Sequence, residues 1–171
     1  MTRQNIILVG FMGTGKTVVG QALASALGFK YIDTDLMVEA EAKKSIPEIF
    51  NTEGEPAFRK YEKQAIQMIT HLKGYVVATG GGAVMMDENI AAMKKAGLLI
   101  CLYATPEVIF ERTRHDNYRP LLQTHDPMKR IKSLLNIRMP QYKKADHLID
   151  TSDLSVDKVV EKIISIWTAE D

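Results

Sequence analysis

The segment Gly10-Phe11-Met12-Gly13-Thr14-Gly15-Lys16-Thr17 follows a short apolar run, Ile6 to Val9, and constrains the fold more than any other part of the chain. Its pattern is Gly-x4-Gly-Lys-Thr. The glycines let the backbone turn its N–H groups inward around an anion. A helix that starts near Gly15 adds positive partial charge at its N-terminus. Such a loop functions only with a strand before it and a helix after it, so it dictates an α/β chain. Lys16 is placed to reach the β- and γ-phosphates of a nucleotide, and the Thr17 hydroxyl to ligate Mg²⁺. Gly13, Thr14, Gly15, Lys16, Thr17 and the adjoining Val18 are the expected phosphate contacts. The alternative is an ordinary glycine-rich turn between a strand and a helix.

Beyond the loop, short apolar runs alternate with longer amphipathic ones, which argues for βαβ units on a parallel sheet. The expected strands are Asn5 to Val9, Phe29 to Ile32, Tyr75 to Thr79, Leu98 to Ala104 and His147 to Thr151. Five parallel strands between two helical layers give a three-layer αβα architecture of the P-loop NTPase type. Expected helices run from Gly15 to Gly28 and from Asp35 to about Lys43. Ser45-Ile46-Pro47-Glu48 reads as a capping box opening a short helix. A longer helix is expected from Glu55 to Leu72, and another capped by Asp87 and ending at Gly97. Thr105-Pro106 starts the next, which reaches Arg114. Asp126-Pro127 opens one that reaches about Lys144, with a break expected at Pro140. The last spans Ser155 to Trp167. Residues 113–124 are polar and aperiodic and read as a lid.

With 171 residues, 46% hydrophobic and 25% charged, the chain suits one globular domain, residues 1–171. The net charge of +1 gives no overall pull toward nucleic acid or an anionic membrane. No apolar run approaches a membrane span, and no secretory signal is visible. Cys101 is the sole cysteine and sits in an apolar run, so it reads as a buried core thiol, and a reducing cytoplasm is the expected location. His71, His115, His125 and His147 show no metal-ligand spacing.

Several polar clusters stand where such a sheet would build a site. Asp33-Thr34-Asp35 follows the second strand, at the strand end where open α/β sheets bind ligands. One carboxylate suits Mg²⁺ support through water, and the other suits an acceptor hydroxyl. A helix N-cap pair is the equal alternative. Glu62 shares the helical face of Arg59 and is placed to orient its guanidinium for a substrate carboxylate, unless the two form only a surface ion pair. Gly80-Gly81-Gly82 permits close backbone approach to a ligand, or is a flexible turn. Strand three ends in Ala78-Thr79 and lacks the usual metal-supporting aspartate, so Asp33 is the nearest candidate. Arg112, Arg114 and Arg119 flank or occupy the lid, where an arginine could close over a transferring phosphoryl group, or lie in a solvated charged loop.

Taken in order along nearly the whole chain, these pieces resemble the shikimate kinases. The resemblance rests on the phosphate loop, Asp33-Thr34-Asp35, Phe58-Arg59-x-x-Glu62, Thr79-Gly80-Gly81-Gly82, Arg119-Pro120-Leu121-Leu122 and Arg138-x-Pro140-x-Tyr142. It implies a nucleoside monophosphate kinase-like fold with a lid, and transfer of the ATP γ-phosphoryl group to the 3-hydroxyl of shikimate, a step of chorismate and aromatic amino-acid biosynthesis. It implies Lys16, Asp35 and Arg119 as catalytic residues, with Asp35 the candidate base. Shikimate would meet Asp35, Arg59, Arg138 and the backbone of Gly80, Gly81 and Gly82, between Phe50 and Phe58. The acceptor-binding segment would be residues 35–62. ATP would meet the phosphate loop, Arg119 and Arg112, the last stacked on adenine. One Mg²⁺ would sit at Thr17 and Asp33. A monomer is implied, with no nucleic-acid or membrane partner.

The chain departs from the family pattern after the fifth strand. A basic residue often lies over adenine there, whereas this chain has Asp150-Thr151-Ser152-Asp153-Leu154. Ser152 or the backbone is the expected substitute. Gluconate kinases and nucleoside monophosphate kinases would share the loop and lid but not the Phe-Arg-x-x-Glu segment joined to a triple glycine. An inactive regulatory relative would be expected to lack Lys16, Asp35 or Arg119, and all three are present.

Overall fold

Every residue of the first strand, β1 (Asn5–Val9), is buried, and its side chains alternate between two cores. Ile6 and Leu8 join one cluster, Ile7 and Val9 the other. The strand β4 (Leu98–Tyr103) divides the same way, with Leu98, Ile100 and Leu102 on one face and Leu99 and Cys101 on the other. Runs of continuous apolar residues with this alternation are what a sheet covered on both faces requires.

The computed structural model describes residues 4–115, 122 and 124–170. The remaining strands are β2 (Lys30–Asp33), β3 (Tyr75–Ala78) and β5 (His147–Asp150). They form one sheet of order β2-β3-β1-β4-β5 in which every neighbouring pair is parallel. The helices are α1 (Lys16–Leu27), α2 (Thr34–Ala42), α3 (Ile46–Thr52), α4 (Glu55–Ile69), α5 (Asp87–Ala96), α6 (Pro106–Thr113), α7 (Pro127–Tyr142) and α8 (Val156–Glu170). α1 and α8 cover one face through Val19, Leu23, Val159, Ile163 and Trp167. α4, α5, α6 and α7 cover the other through Ile66, Ile69, Met93, Ile109, Ile131 and Tyr142. The expected three-layer αβα architecture with five parallel strands is therefore present. A third, smaller cluster of Val38, Ile49, Phe58 and Ala65 ties α2, α3 and α4 together beside the sheet.

Some boundaries differ from expectation, each for a physical reason. Ser45 and Glu48 form the expected capping box. Asp87, however, does not cap α5. It is the first helical residue after Met86, and its carboxylate instead accepts from Lys144 Nζ at 2.6 Å and Gln141 Nε2 at 3.2 Å. α7 does not break at Pro140 but continues to Tyr142. The proline removes one backbone donor, and the buried Tyr142 beyond it anchors the last turn in the core. α4 ends at Ile69 rather than Leu72, because the donors of Thr70, His71 and Leu72 turn to carbonyls three residues back. Thr113, counted with the lid, is the last residue of α6, while residues 116–121 and 123 of the lid lie outside the described residues. No helix among the described residues is long and apolar enough to cross a membrane.

Candidate active site

The loop after β1 wraps a cleft at the C-terminal edge of the sheet, where the chain's crossovers diverge to either side of β1. Gly10, Gly13 and Gly15 all have positive φ, of 143°, 77° and 97°. At Gly10 a side chain is also excluded by space, since a Cβ would lie 2.1 Å from the Leu102 carbonyl oxygen. The loop is held in shape from within. The Thr14 hydroxyl donates to the Phe11 carbonyl at 2.7 Å, and Lys16 Nζ donates to the carbonyls of Gly10 at 2.8 Å and Phe11 at 2.9 Å. Lys16 therefore lies folded over the loop, above the space its phosphates would fill. Gly13, Gly15, Lys16, Thr17 and Val18 line the cleft, whereas Thr14 is buried behind it.

Asp33 and Asp35 divide as their positions at a strand end suggest. Asp33 is the last residue of β2 and also the N-cap of α2, with its Oδ1 accepting from the Asp35 N–H at 2.8 Å. The cap alternative is thus realised by Asp33, without removing either carboxylate from the cleft, which both line. Burial pushes the Asp33 carboxyl up, against the Asp35 N–H and Lys16, which pull it down. Tyr31 is a neighbour that sequence reasoning missed. It shares a face of β2 with Asp33, and its buried hydroxyl lies beside Asp33 and Thr17 without reaching hydrogen-bond geometry with either. Burial and then the Asp33 charge push that phenol up to about 12. Strand alternation, which puts residues 31 and 33 on one face, was the available signal.

The other half of the cleft explains why the turn after β3 has three glycines. A Cβ on Gly80 would lie 2.8 Å from Asp35 Oδ1, one on Gly81 3.1 Å from Arg138 Nη1, and one on Gly82 2.7 Å from both Nη1 and Nη2 of Arg59. Each glycine thus abuts a charged side chain of the cleft, and a Cβ on Gly80 would also lie 3.2 Å from Glu62 Oε2. Arg59 donates to Glu62 Oε1 at 2.8 Å and also pairs with Glu55 at 3.2 Å. Burial works against its charge, but Glu62 and Glu55 raise its pKa overall. Glu62 is only 1% exposed, and burial pushes its carboxyl up against the pull of Arg59 and Arg138. Arg138 is 6% exposed, stands 5.5 Å over the Phe11 ring, and makes no ion pair among the described residues. A buried guanidinium of this kind is stabilised by a bound anion. Phe50 and Phe58 lie 4.8 Å apart and form one wall of the cleft, whose volume is about 560 Å³.

Two residues expected on the nucleotide side, Arg112 and Ser152, stand apart from this cleft. Arg112 does not line this cleft. Its guanidinium donates to the Gly13 carbonyl at 3.1 Å and the Thr151 carbonyl at 2.8 Å, clamping the phosphate loop to the end of β5. Thr151, which sequence reasoning did not single out, reinforces the clamp, with its buried hydroxyl donating to the Thr14 carbonyl at 2.9 Å. Ser152 also stands outside the cleft, its Oγ accepting from the Thr105 N–H at 3.0 Å. Arg119 lies outside the described residues. Cys101 is fully buried, and burial raises its thiol to about 12, as befits an inert core residue.

Comparison with known proteins gives a consistent result. A family model described as shikimate kinase matches residues 12–168. A shikimate kinase of Thermodesulfovibrio yellowstonii is 50% identical over 94% of this chain and 93% of its own. One from Caldanaerobacter subterraneus is 48% identical over 96% of both. Among solved structures, the shikimate kinase of Acinetobacter baumannii in complex with shikimate aligns with a TM-score of 0.93 at 38% identity, covering 98% of this chain and 94% of that one. The shikimate kinase of Aquifex aeolicus aligns with a TM-score of 0.81 at 32% identity, covering 96% of each chain.

Proposed function

This chain belongs to the shikimate kinase family, whose members are ATP-dependent kinases acting on shikimate, and we propose that it moves the γ-phosphoryl group to the 3-hydroxyl with the residues of the cleft described above. The chain acts as a single kinase domain, and residues 35–62 supply most of the acceptor side. The observation that carries this assignment is the triple-glycine turn, whose glycines abut Asp35, Arg138 and Arg59 in turn, in the same cleft as the phosphate loop. A small anionic polyol needs such a set, with cations for its carboxylate and a carboxylate for its hydroxyls.

On the donor side, Lys16 leaves the carbonyls of Gly10 and Phe11 for the β- and γ-phosphates, while the loop N–H groups hold the phosphate oxygens. Among the described residues there is no cluster of three or more acidic, histidine or cysteine side chains able to hold a metal alone. The hard oxygen donors Thr17 and Asp33 nevertheless fit Mg²⁺, which is commonly bound through one or two protein oxygens and completed by phosphate and water. Bound there, the ion would offset charge on the phosphates. Arg59 and Arg138 hold the shikimate carboxylate, Glu62 orients Arg59, and Phe50 and Phe58 flank the ring. Asp35 accepts the proton of the attacking hydroxyl. Arg119, outside the described residues, is the cation the resemblance assigns to the phosphates, and Arg112, anchored on Thr151, is the one it assigns to adenine.

An ADP-release assay with Mg²⁺-ATP against shikimate, gluconate and nucleoside monophosphates tests the substrate. Stimulation by shikimate alone is expected, and none by shikimate would overturn the assignment. Asp35→Asn is expected to lower kcat at least about 100-fold if the carboxylate takes the proton, the range of general-base catalysis. Positioning carries much of phosphoryl transfer. A loss of less than about tenfold, with a raised shikimate KM, would therefore make Asp35 a binding residue only.

A further inference from the structure

Tyr142 takes no part in the chemistry above and does not line the cleft, yet it is tied to it. It is 1% exposed, at the end of α7, and its ring fills the core between α7 and the sheet. Its hydroxyl donates to the Gly81 carbonyl at 2.6 Å. That carbonyl belongs to the peptide joining Gly81 to Gly82, so the bond fixes the plane of the peptide. The Gly82 N–H, antiparallel to the carbonyl across a trans peptide, is thereby aimed away from Tyr142. A run of three glycines has no side chains to restrict its backbone, and an unrestrained turn would lose entropy when a ligand docks on it. Arg138 lies one helical turn before Tyr142 on the same face of α7, and its Nη1 crowds the same Gly81. Burial also holds the phenol protonated, so it remains a donor through neutral pH.

We propose that Tyr142 is a positioning residue for acceptor binding: its hydroxyl locks the Gly81–Gly82 peptide and so presets the backbone donors of the turn against Arg138 before the acceptor arrives. The proposal rests on the assignment of this half of the cleft to shikimate.

Tyr142→Phe keeps the ring and deletes only the hydroxyl. The shikimate KM, and its Kd by calorimetry, are expected to rise about five- to tenfold, while the ATP KM stays within about twofold and kcat within about threefold. An unchanged shikimate KM overturns the proposal. So does an equal rise in both KM values, which marks a general structural role. Backbone relaxation of the unliganded wild-type protein gives a second readout that needs neither a variant nor a substrate. An order parameter near about 0.85 at the Gly82 amide supports a preset turn, and one below about 0.6 overturns it. Because that measurement is made without shikimate, it separates failure of the lock from failure of the substrate assignment, which the assay above tests by itself.

Discussion

Replacing Lys16 with methionine is expected to abolish phosphoryl transfer while the protein stays folded. Lys16 is the cation at the mouth of the phosphate loop, donating to the carbonyls of Gly10 and Phe11 at 2.8 and 2.9 Å. Phosphoryl transfer asks little covalent chemistry of a protein, so catalysis depends on charge placed where it develops on the phosphates. Removing such a donor from a preorganised site costs about 10²- to 10³-fold in kcat, about 2.7–4 kcal/mol of barrier. The fold should survive, because neither of the two sheet cores includes Lys16. The loop loses two charged hydrogen bonds, but they face the open cleft, where solvent can rebind the carbonyls, so the cost stays below the roughly 3–6 kcal/mol of two fully buried ones. Circular dichroism should show a native spectrum with a modestly lowered Tm. Turnover within tenfold of wild type in a folded variant would remove Lys16 from the mechanism.

The strands and the phosphate loop were legible in the sequence because their signals are local. An apolar run bounded by glycine or a polar cluster needs no partner to be recognised, and the five expected strands each fall within a residue of those observed. The order β2-β3-β1-β4-β5 was not legible, since periodicity says which residues are buried and not which strand lies beside which. Pro140 misled for the reverse reason. Its local preference against a helix is real, but the burial of Tyr142 two residues later outweighs it. Asp87 looked like a cap because caps are read from neighbours in sequence, whereas Lys144 and Gln141 compete for its carboxylate from across the fold. The acceptor site was legible as a set of residue types. Its reason for three successive glycines was not, because the crowding by Asp35, Arg138 and Arg59 comes from three separate helices. Thr151 carries no pattern of its own and gains meaning only from what the sheet sets beside it, whereas Tyr31 was within reach of the strand alternation that pairs it with Asp33.

The two arginines of the acceptor site should part company when each is removed. Arg138→Ala is expected to raise the shikimate KM about 10- to 150-fold, the equivalent of one charged hydrogen bond of roughly 1.5–3 kcal/mol, with the ATP KM within about twofold. Arg138 makes no ion pair among the described residues, so its loss strands no directly paired carboxylate. Arg59→Ala should raise the shikimate KM by a similar factor, but it also strips Glu62 of the partner 2.8 Å away. Glu62 is 1% exposed, and an unpaired buried carboxylate costs about 3–5 kcal/mol. The cost carries a pH signature. Burial already holds the Glu62 carboxyl above its ordinary value of 4.5, against the pull of Arg59, and losing Arg59 raises it further. A carboxyl raised in the folded state supports stability below its unfolded value and loses that support as pH climbs through the folded one. Thermal melts of Arg59→Ala should therefore approach wild type near pH 4.5 and fall progressively behind it toward neutrality, while Arg138→Ala should track wild type more closely. Wild-type shikimate KM values in both variants would remove the carboxylate clamp. A pH-independent stability deficit in Arg59→Ala would mean that Glu62 finds another partner when its arginine is gone.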